Sequence, residues 1–211
     1  MNVVGVLVVF GVILVSMVLH ELAHGWVAYL LGDTTAKDDG RLTLNPLKHL
    51  DPVMSVALPL ILYIMGMPVF GGAKPVPIDS RNLKGREWGM AAVAIAGPAT
   101  NFLLAFLSFL VGHFTGIIYD GGFLALVFQE ILMVNLGFMA FNMLPIPPLD
   151  GSRILYAVAP DGVRSVMKKI EMTAGVMIVY VFILVFSSAF YTVISGVVNS
   201  VLNFFYWIIG Q

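Results

Sequence analysis

Several runs in this chain stay apolar for as long as a helix needs to cross a lipid bilayer, and no other feature restricts the fold as much. A spanning helix takes about 20 consecutive, mostly apolar residues. The stretches 3–31, 88–111 and 123–144 all reach that length. Hydrophobic residues make up 59% of the chain and charged residues 11%, with a mean hydropathy of +0.95. A soluble domain has about half and about a quarter respectively, so lipid is the solvent here. The expected fold is an all-α polytopic membrane protein, with about five to six membrane helices, a re-entrant segment and short cytoplasmic β-like loops.

The remaining composition narrows the partners. Net charge is −1 and no basic run exists, which argues against nucleic acid. Cysteine is absent, so disulfides, thiolate metal sites and a cysteine nucleophile are excluded. Any metal would need His, Asp or Glu. No linker, repeat or low-complexity tract divides the sequence, and we read residues 1–211 as one domain. The N-terminal run lacks a basic leader and a small-residue cleavage pattern, so it is expected to stay in the mature protein.

The placement of cations gives a topology. The 11 Lys and Arg residues fall in three segments. Lys37, Arg41 and Lys48 follow the first apolar run. Lys74, Arg81, Lys84 and Arg86 lie in the Gly/Pro-rich loop FGGAKPVPIDSRNLKGRE, and Arg153, Arg164, Lys168 and Lys169 follow a proline cluster. Were 52–69 a full crossing, the first two groups would face opposite sides, against the positive-inside tendency. A dip that returns puts all three on the cytoplasmic face. The reading is therefore a multi-pass protein of the cytoplasmic membrane, N-terminus outside, with a re-entrant segment at 52–69. The C-terminal helices cover about 165–209. Within them, 172–209 is long for one span and short for two; one span followed by a second helix is expected, and Asn199 and Asn203 suggest that this helix lies partly in the interface.

Inside the first run sits HELAH, residues 20–24. On a helix, side chains four apart share a face, so His20 and His24 can reach one ion with Glu21 beside them. Zinc suits this spacing, taking imidazole nitrogens at about 2.0–2.1 Å and preferring four ligands. It activates a water and polarises a peptide carbonyl, while Glu21 accepts the water proton and returns it to the leaving amine. Chance HExxH matches occur in soluble helices. In a spanning helix, however, each ionisable side chain costs on the order of 2.5–3.5 kcal/mol on insertion scales. Three within five residues need a compensating partner, and a metal is the simplest.

Two histidines leave zinc short of a ligand. Asp150, in PLDG after Pro145, Pro147 and Pro148, is the candidate third. The prolines should break the helix before it, and Gly151 allows the backbone to approach closely. The alternative is a plain turn aspartate at a helix end. The topology favours the ligand role: with a re-entrant 52–69, His24 and Asp150 both lie toward the cytoplasmic side at similar depth. Asn101 in GPATN is read as bonding between helices, with Gly97 and Pro98 favouring close packing and a helix start. His49 and His113 are read as solvated interface histidines without a metal role. The segments GRLTLNP and GGAKPVPI could pair as a small sheet whose free edge holds an extended substrate, or be ordinary loops.

HELAH in a membrane helix, AIAGPATN opening a later one and FNMLPIPPLDG ending the next together resemble the site-2 protease family of intramembrane zinc metalloproteases. The likeness runs from Val9 to about Leu155. It implies one zinc per chain held by His20, His24 and Asp150, with Glu21 as catalytic base and a three-span core. It also implies regulated proteolysis of transmembrane protein substrates within the lipid bilayer. Asn142 matches the family's asparagine, a donor to the substrate backbone or oxyanion; a cap on the broken helix is the other reading. Larger members carry a PDZ or CBS domain. This short form has room for neither, so any substrate filter is absent or comes from a partner, a second copy or an adaptor protein.

Two rival readings use the same residues. An ion, proton or metal transporter also buries His, Glu and Asp, but it spreads them through both halves of the bilayer, often in inverted repeats. A prenyl-protein type of membrane metalloprotease needs a glutamate as third ligand, which here would be Glu171.

Overall fold

The computed structural model of the chain describes residues 3–64, 72–173, 181 and 187–210. Its elements are helical: α1 (Val3–Leu30), α2 (Thr35–Asp38), a π-helical stretch (Pro52–Ala57) running into α3 (Leu58–Ile64), α4 (Glu87–Phe114), α5 (Phe123–Asn142), α6 (Asp150–Val158), α7 (Asp161–Thr173) and α8 (Ser187–Ile208). Among the described residues, α1, α4, α5 and α8 are long and apolar enough to span a membrane. The all-α polytopic expectation therefore holds. Residues 65–69 of the expected re-entrant segment, and 174–180 and 182–186 of the C-terminal stretch, lie outside the described residues.

α1, α4 and α5 pack against one another, and α6 leans on α4. Lipid tails give helices no hydrophobic reason to associate, so small residues and polar rungs do that work. Ala28, Ala91, Ala94 and Ala105 are buried at these seams. Large side chains such as Leu7, Phe10, Leu103 and Leu107 stay exposed along the same helices, as lipid-facing positions should. A second cluster joins α4, α5 and α8 through Phe109, Leu136 and Phe205, all at most 1% exposed.

The polar rungs fix the helix directions. His24 meets Val93 and His20 meets Asn101, so α1 and α4 are antiparallel. Asn101 meets Asn135, and the Ser108 hydroxyl donates to the Phe128 carbonyl (2.8 Å), so α4 and α5 are antiparallel too. α1 and α5 therefore run the same way, and residues after α5 emerge at the end of the bundle where HELAH lies.

The segment between α1 and α4 closes on itself. Lys84 N–H donates to the Leu31 carbonyl (2.9 Å), and the Asp79 N–H and Asn82 amide donate to the Asp33 carboxylate. Within it, Gly72 N–H donates to the Met54 carbonyl (3.1 Å) and Ser55 Oγ to the Gly72 carbonyl (2.6 Å). The excursion that leaves at Pro52 is thus back beside its start by Gly72.

Two local expectations need correction, and one pair of alternatives is decided. Pro98 does not start a helix but sits inside α4. Neighbouring helices in a membrane bundle can engage the backbone that a proline frees, so the helix continues through it. GRLTLNP and GGAKPVPI form no ladder: none of the described residues is in a strand. Pro75 and Pro77 bring no N–H to a ladder, and Asn45 caps a 3₁₀ turn at Pro46–Lys48. His49 is not solvated but fully buried, its Nε2 on the Thr43 carbonyl at 2.8 Å.

Candidate metal centre

His20 and His24 project from one face of α1 onto α4, and both are buried. Their Nδ1 atoms have acceptors: Asn101 Oδ1 at 2.6 Å from His20 and the Val93 carbonyl at 2.7 Å from His24. A main-chain carbonyl only accepts, so His24 Nδ1 carries the proton and its neutral ring has a lone pair at Nε2; Asn101 Oδ1 asks the same of His20.

Those two Nε2 atoms lie 3.0 Å apart. Asp150 Oδ2 lies 3.2 Å from the first and 3.4 Å from the second. Asp150 reaches them because α5 ends at Asn142 and the chain stays non-helical until α6 begins at Asp150 itself. A Cβ on Gly151 would fall within 2.6 Å of the Met143 and Leu144 carbonyl oxygens, so only glycine lets α6 fold back this tightly.

Three electron-rich atoms in van der Waals contact repel one another unless a cation sits among them. Asp150 Oδ2 is buried and has no hydrogen-bond partner, as a metal-facing oxygen would. Zinc bound at about 2.0–2.1 Å spaces neighbouring tetrahedral ligands about 3.3–3.4 Å apart, close to the three separations found. A fourth corner would remain open, the arrangement of catalytic rather than structural zinc. Space for the site comes from Gly97, where a Cβ would lie within 2.6 Å of both Nε2 atoms. Among the described residues, His20, His24 and Asp150 form the one cluster able to hold a metal.

Glu21 is half-buried beside this cluster, and its Oε2 accepts from the Val76 N–H at 2.9 Å. Pro75 and Pro77 have no N–H, so Val76 supplies the sole main-chain donor of that tripeptide. The Arg41 guanidinium, itself buried, holds the strap that carries Val76, residues 74–79, through the Lys74 carbonyl at 2.7 Å. At its base, Asp33 is buried, which alone would raise its carboxyl. Hydrogen bonds from the Thr35 hydroxyl, the Asp79 and Thr35 N–H groups and the Asn82 amide outweigh this and hold it below the usual carboxylate range.

The other candidates fall into place around these. Asn142 ends α5, and its amide donates to the Phe138 carbonyl of its own helix at 3.0 Å. Asn101 bonds between helices as expected. Glu171 pairs with Arg153, and the structure does not bring it to the cluster. His113 bonds the Tyr119 hydroxyl. Sequence reasoning missed Asn135, which is fully buried, and Ser16; the signal was a polar side chain at mid-span in each of two apolar helices.

Known proteins resemble the chain over much of its length. The model for peptidase family M50 matches residues 116–187. YwhC of Bacillus subtilis (strain 168), a zinc metalloprotease by name only, is 40% identical over 81% of this chain and 78% of its own length. Rip2 of Mycolicibacterium smegmatis is 35% identical over 65% of this chain, which spans about half (52%) of that relative. Zinc metalloprotease MJ0392 of Methanocaldococcus jannaschii is 28% identical over 72% of this chain and 34% of its own length. No solved structure matches the chain. Identity at the level of YwhC, sustained over most of both chains, shows common descent, and the chain belongs to peptidase family M50, the site-2 protease family.

Proposed function

We propose that this protein is an intramembrane zinc endopeptidase that hydrolyses peptide bonds in or near the transmembrane segments of other membrane proteins. The observation that carries the reading is the convergence of His20 Nε2, His24 Nε2 and Asp150 Oδ2 within a bundle of apolar helices. These three would hold one zinc per chain. When bound, zinc supplies a Lewis acid that activates water and polarises the scissile carbonyl. The chain's own residues do the rest. Glu21, oriented by the Val76 N–H, takes the proton of the attacking water and passes it to the leaving amine. The helices around the cluster limit access of bulk water.

The chain acts as a single domain, residues 1–211. The cluster lies at the end of the bundle that carries the basic loops, so the active site faces the cytoplasm. The return of the chain to Met54 at Gly72 supports a re-entrant excursion. Asn142 acts on the substrate backbone only if its amide leaves the Phe138 carbonyl on binding. Substrates are transmembrane proteins cut in regulated proteolysis, selected by the membrane or by a partner protein.

The test is cleavage of a single-span peptide by the purified full chain in detergent. Cleavage that stops with a chelator and returns with zinc supports the reading. Zinc or proton flux through vesicles holding the protein, without cleavage, would replace it with the transporter.

A further inference from the structure

His24 has its tautomer set by a main-chain carbonyl, but His20 faces only a side-chain amide, which could present either end. A relay of buried amides settles which. Asn135 Nδ2 lies 2.8 Å from the Ile131 carbonyl and 2.9 Å from Ser16 Oγ. A carbonyl only accepts, so the atom facing Ile131 is the amide nitrogen, and both its hydrogens are spent. Asn135 Oδ1 is left to face Asn101, whose Nδ2 donates to it at 2.8 Å. That in turn leaves Asn101 Oδ1 to face His20 Nδ1 at 2.6 Å. Asn101 and Asn135 are 0% exposed and Ser16 is 3%, so water does not compete at any link.

We infer that Asn135, acting through Asn101, is a positioning residue that fixes His20 as the Nδ1–H tautomer and keeps its Nε2 lone pair aimed at the metal site. Without Asn135, Asn101 can turn its NH₂ toward His20. Nδ1 then becomes the acceptor, and the ring proton moves to Nε2, where it points into the space a cation would take. The relay joins α1, α4 and α5, so helix packing and ligand readiness are one arrangement. Outer hydrogen-bond partners of this kind typically change metal affinity by about 10–100-fold.

The inference rests on the proposed zinc site, but its direct readout does not require zinc. Nitrogen-15 NMR of the histidines in the metal-free full chain reads which ring nitrogen carries the proton. We expect His20 as Nδ1–H in the unaltered chain and in Asn101→Asp, whose carboxylate can only accept. In Asn135→Leu we expect a mixture. Zinc affinity by chelator competition should follow: within a few-fold of the unaltered chain for Asn101→Asp, and about 10–100-fold weaker for Asn135→Leu. A purely packing role would make both variants equally poor, because both break the Asn101–Asn135 bond. His20 with its proton on Nε2 in the unaltered chain would overturn the inference, a reading that holds even if Asn135→Leu fails to fold. Zinc binding at the unaltered affinity by folded Asn135→Leu would overturn it too. Failure of the unaltered chain to bind zinc, with His20 still Nδ1–H, would instead defeat the proposed function.

Discussion

Lys84 gives its main-chain N–H to the carbonyl of Leu31 at 2.9 Å, and this one bond brings the start of α4 back to the end of α1. All that lies between, including the excursion at Pro52, begins and ends at the same end of the bundle. α5 then runs parallel to α1 and delivers Asp150 to the histidines. A full extra crossing between α1 and α4 would have sent Asp150 to the opposite leaflet.

The topology can be checked by labelling. The chain has no cysteine, so single replacements at Lys37 and Arg81 have no background. A membrane-impermeant thiol reagent should label K37C and R81C from the same side. Labelling from opposite sides would remove the re-entrant arrangement.

Glu21 is assigned to proton transfer and not to holding the metal. Glu21→Gln should keep zinc at the unaltered stoichiometry and lose cleavage by at least about 10²–10⁴-fold, the usual contribution of a general base. Metal content and turnover measured on the same preparation decide it. Normal turnover in Glu21→Gln would remove that role.

Gly97 makes room for the two imidazoles. In Gly97→Ala the new methyl would lie within 2.6 Å of both Nε2 atoms, so zinc binding should drop sharply while helix content by circular dichroism stays unchanged. Unaltered zinc affinity would show that the rings do not need this space.

Asp33 fastens the strap that reaches Glu21. Its folded carboxyl is held below the unfolded value of about 3.9, so the stabilisation is present above that value and is lost as pH falls toward the folded one. Hydrogen-exchange protection at the Asp79 amide should therefore fall below about pH 3.9 in the unaltered chain. In Asp33→Asn it should be lower at neutral pH and nearly flat in acid. The same acid loss in Asp33→Asn would assign the effect to another group.

Much of the site was legible because its chemistry needs particular residue types at particular spacings. HELAH puts two imidazoles on one helix face whatever the surrounding fold, and PPLDG combines a helix break, a carboxylate and a glycine. The spans read at 3–31, 88–111 and 123–144 did equally well, their ends falling within three residues of those found. What escaped depends on contacts between helices. Asn135 sits in an ordinary apolar run, and its meaning appears only when α4 brings Asn101 beside it. Pro98 was read through its preference for helix starts, but a helix inside a membrane bundle can continue through a proline. His49 was assigned to solvent from its expected place at the membrane interface, whereas it is buried and the Thr43 carbonyl faces its Nε2. For GRLTLNP and GGAKPVPI the sequence left a small sheet and ordinary loops both open, and Pro75 and Pro77, which lack N–H donors, fit the loops that the structure shows.

Joint binding of one zinc ion by His20, His24 and Asp150 is tested by zinc titration of the purified full chain beside Asp150→Ala. One zinc per unaltered chain is expected, and in Asp150→Ala a loss of affinity beyond the roughly 10–100-fold that an outer partner costs. Equal zinc affinity in the two proteins would contradict it.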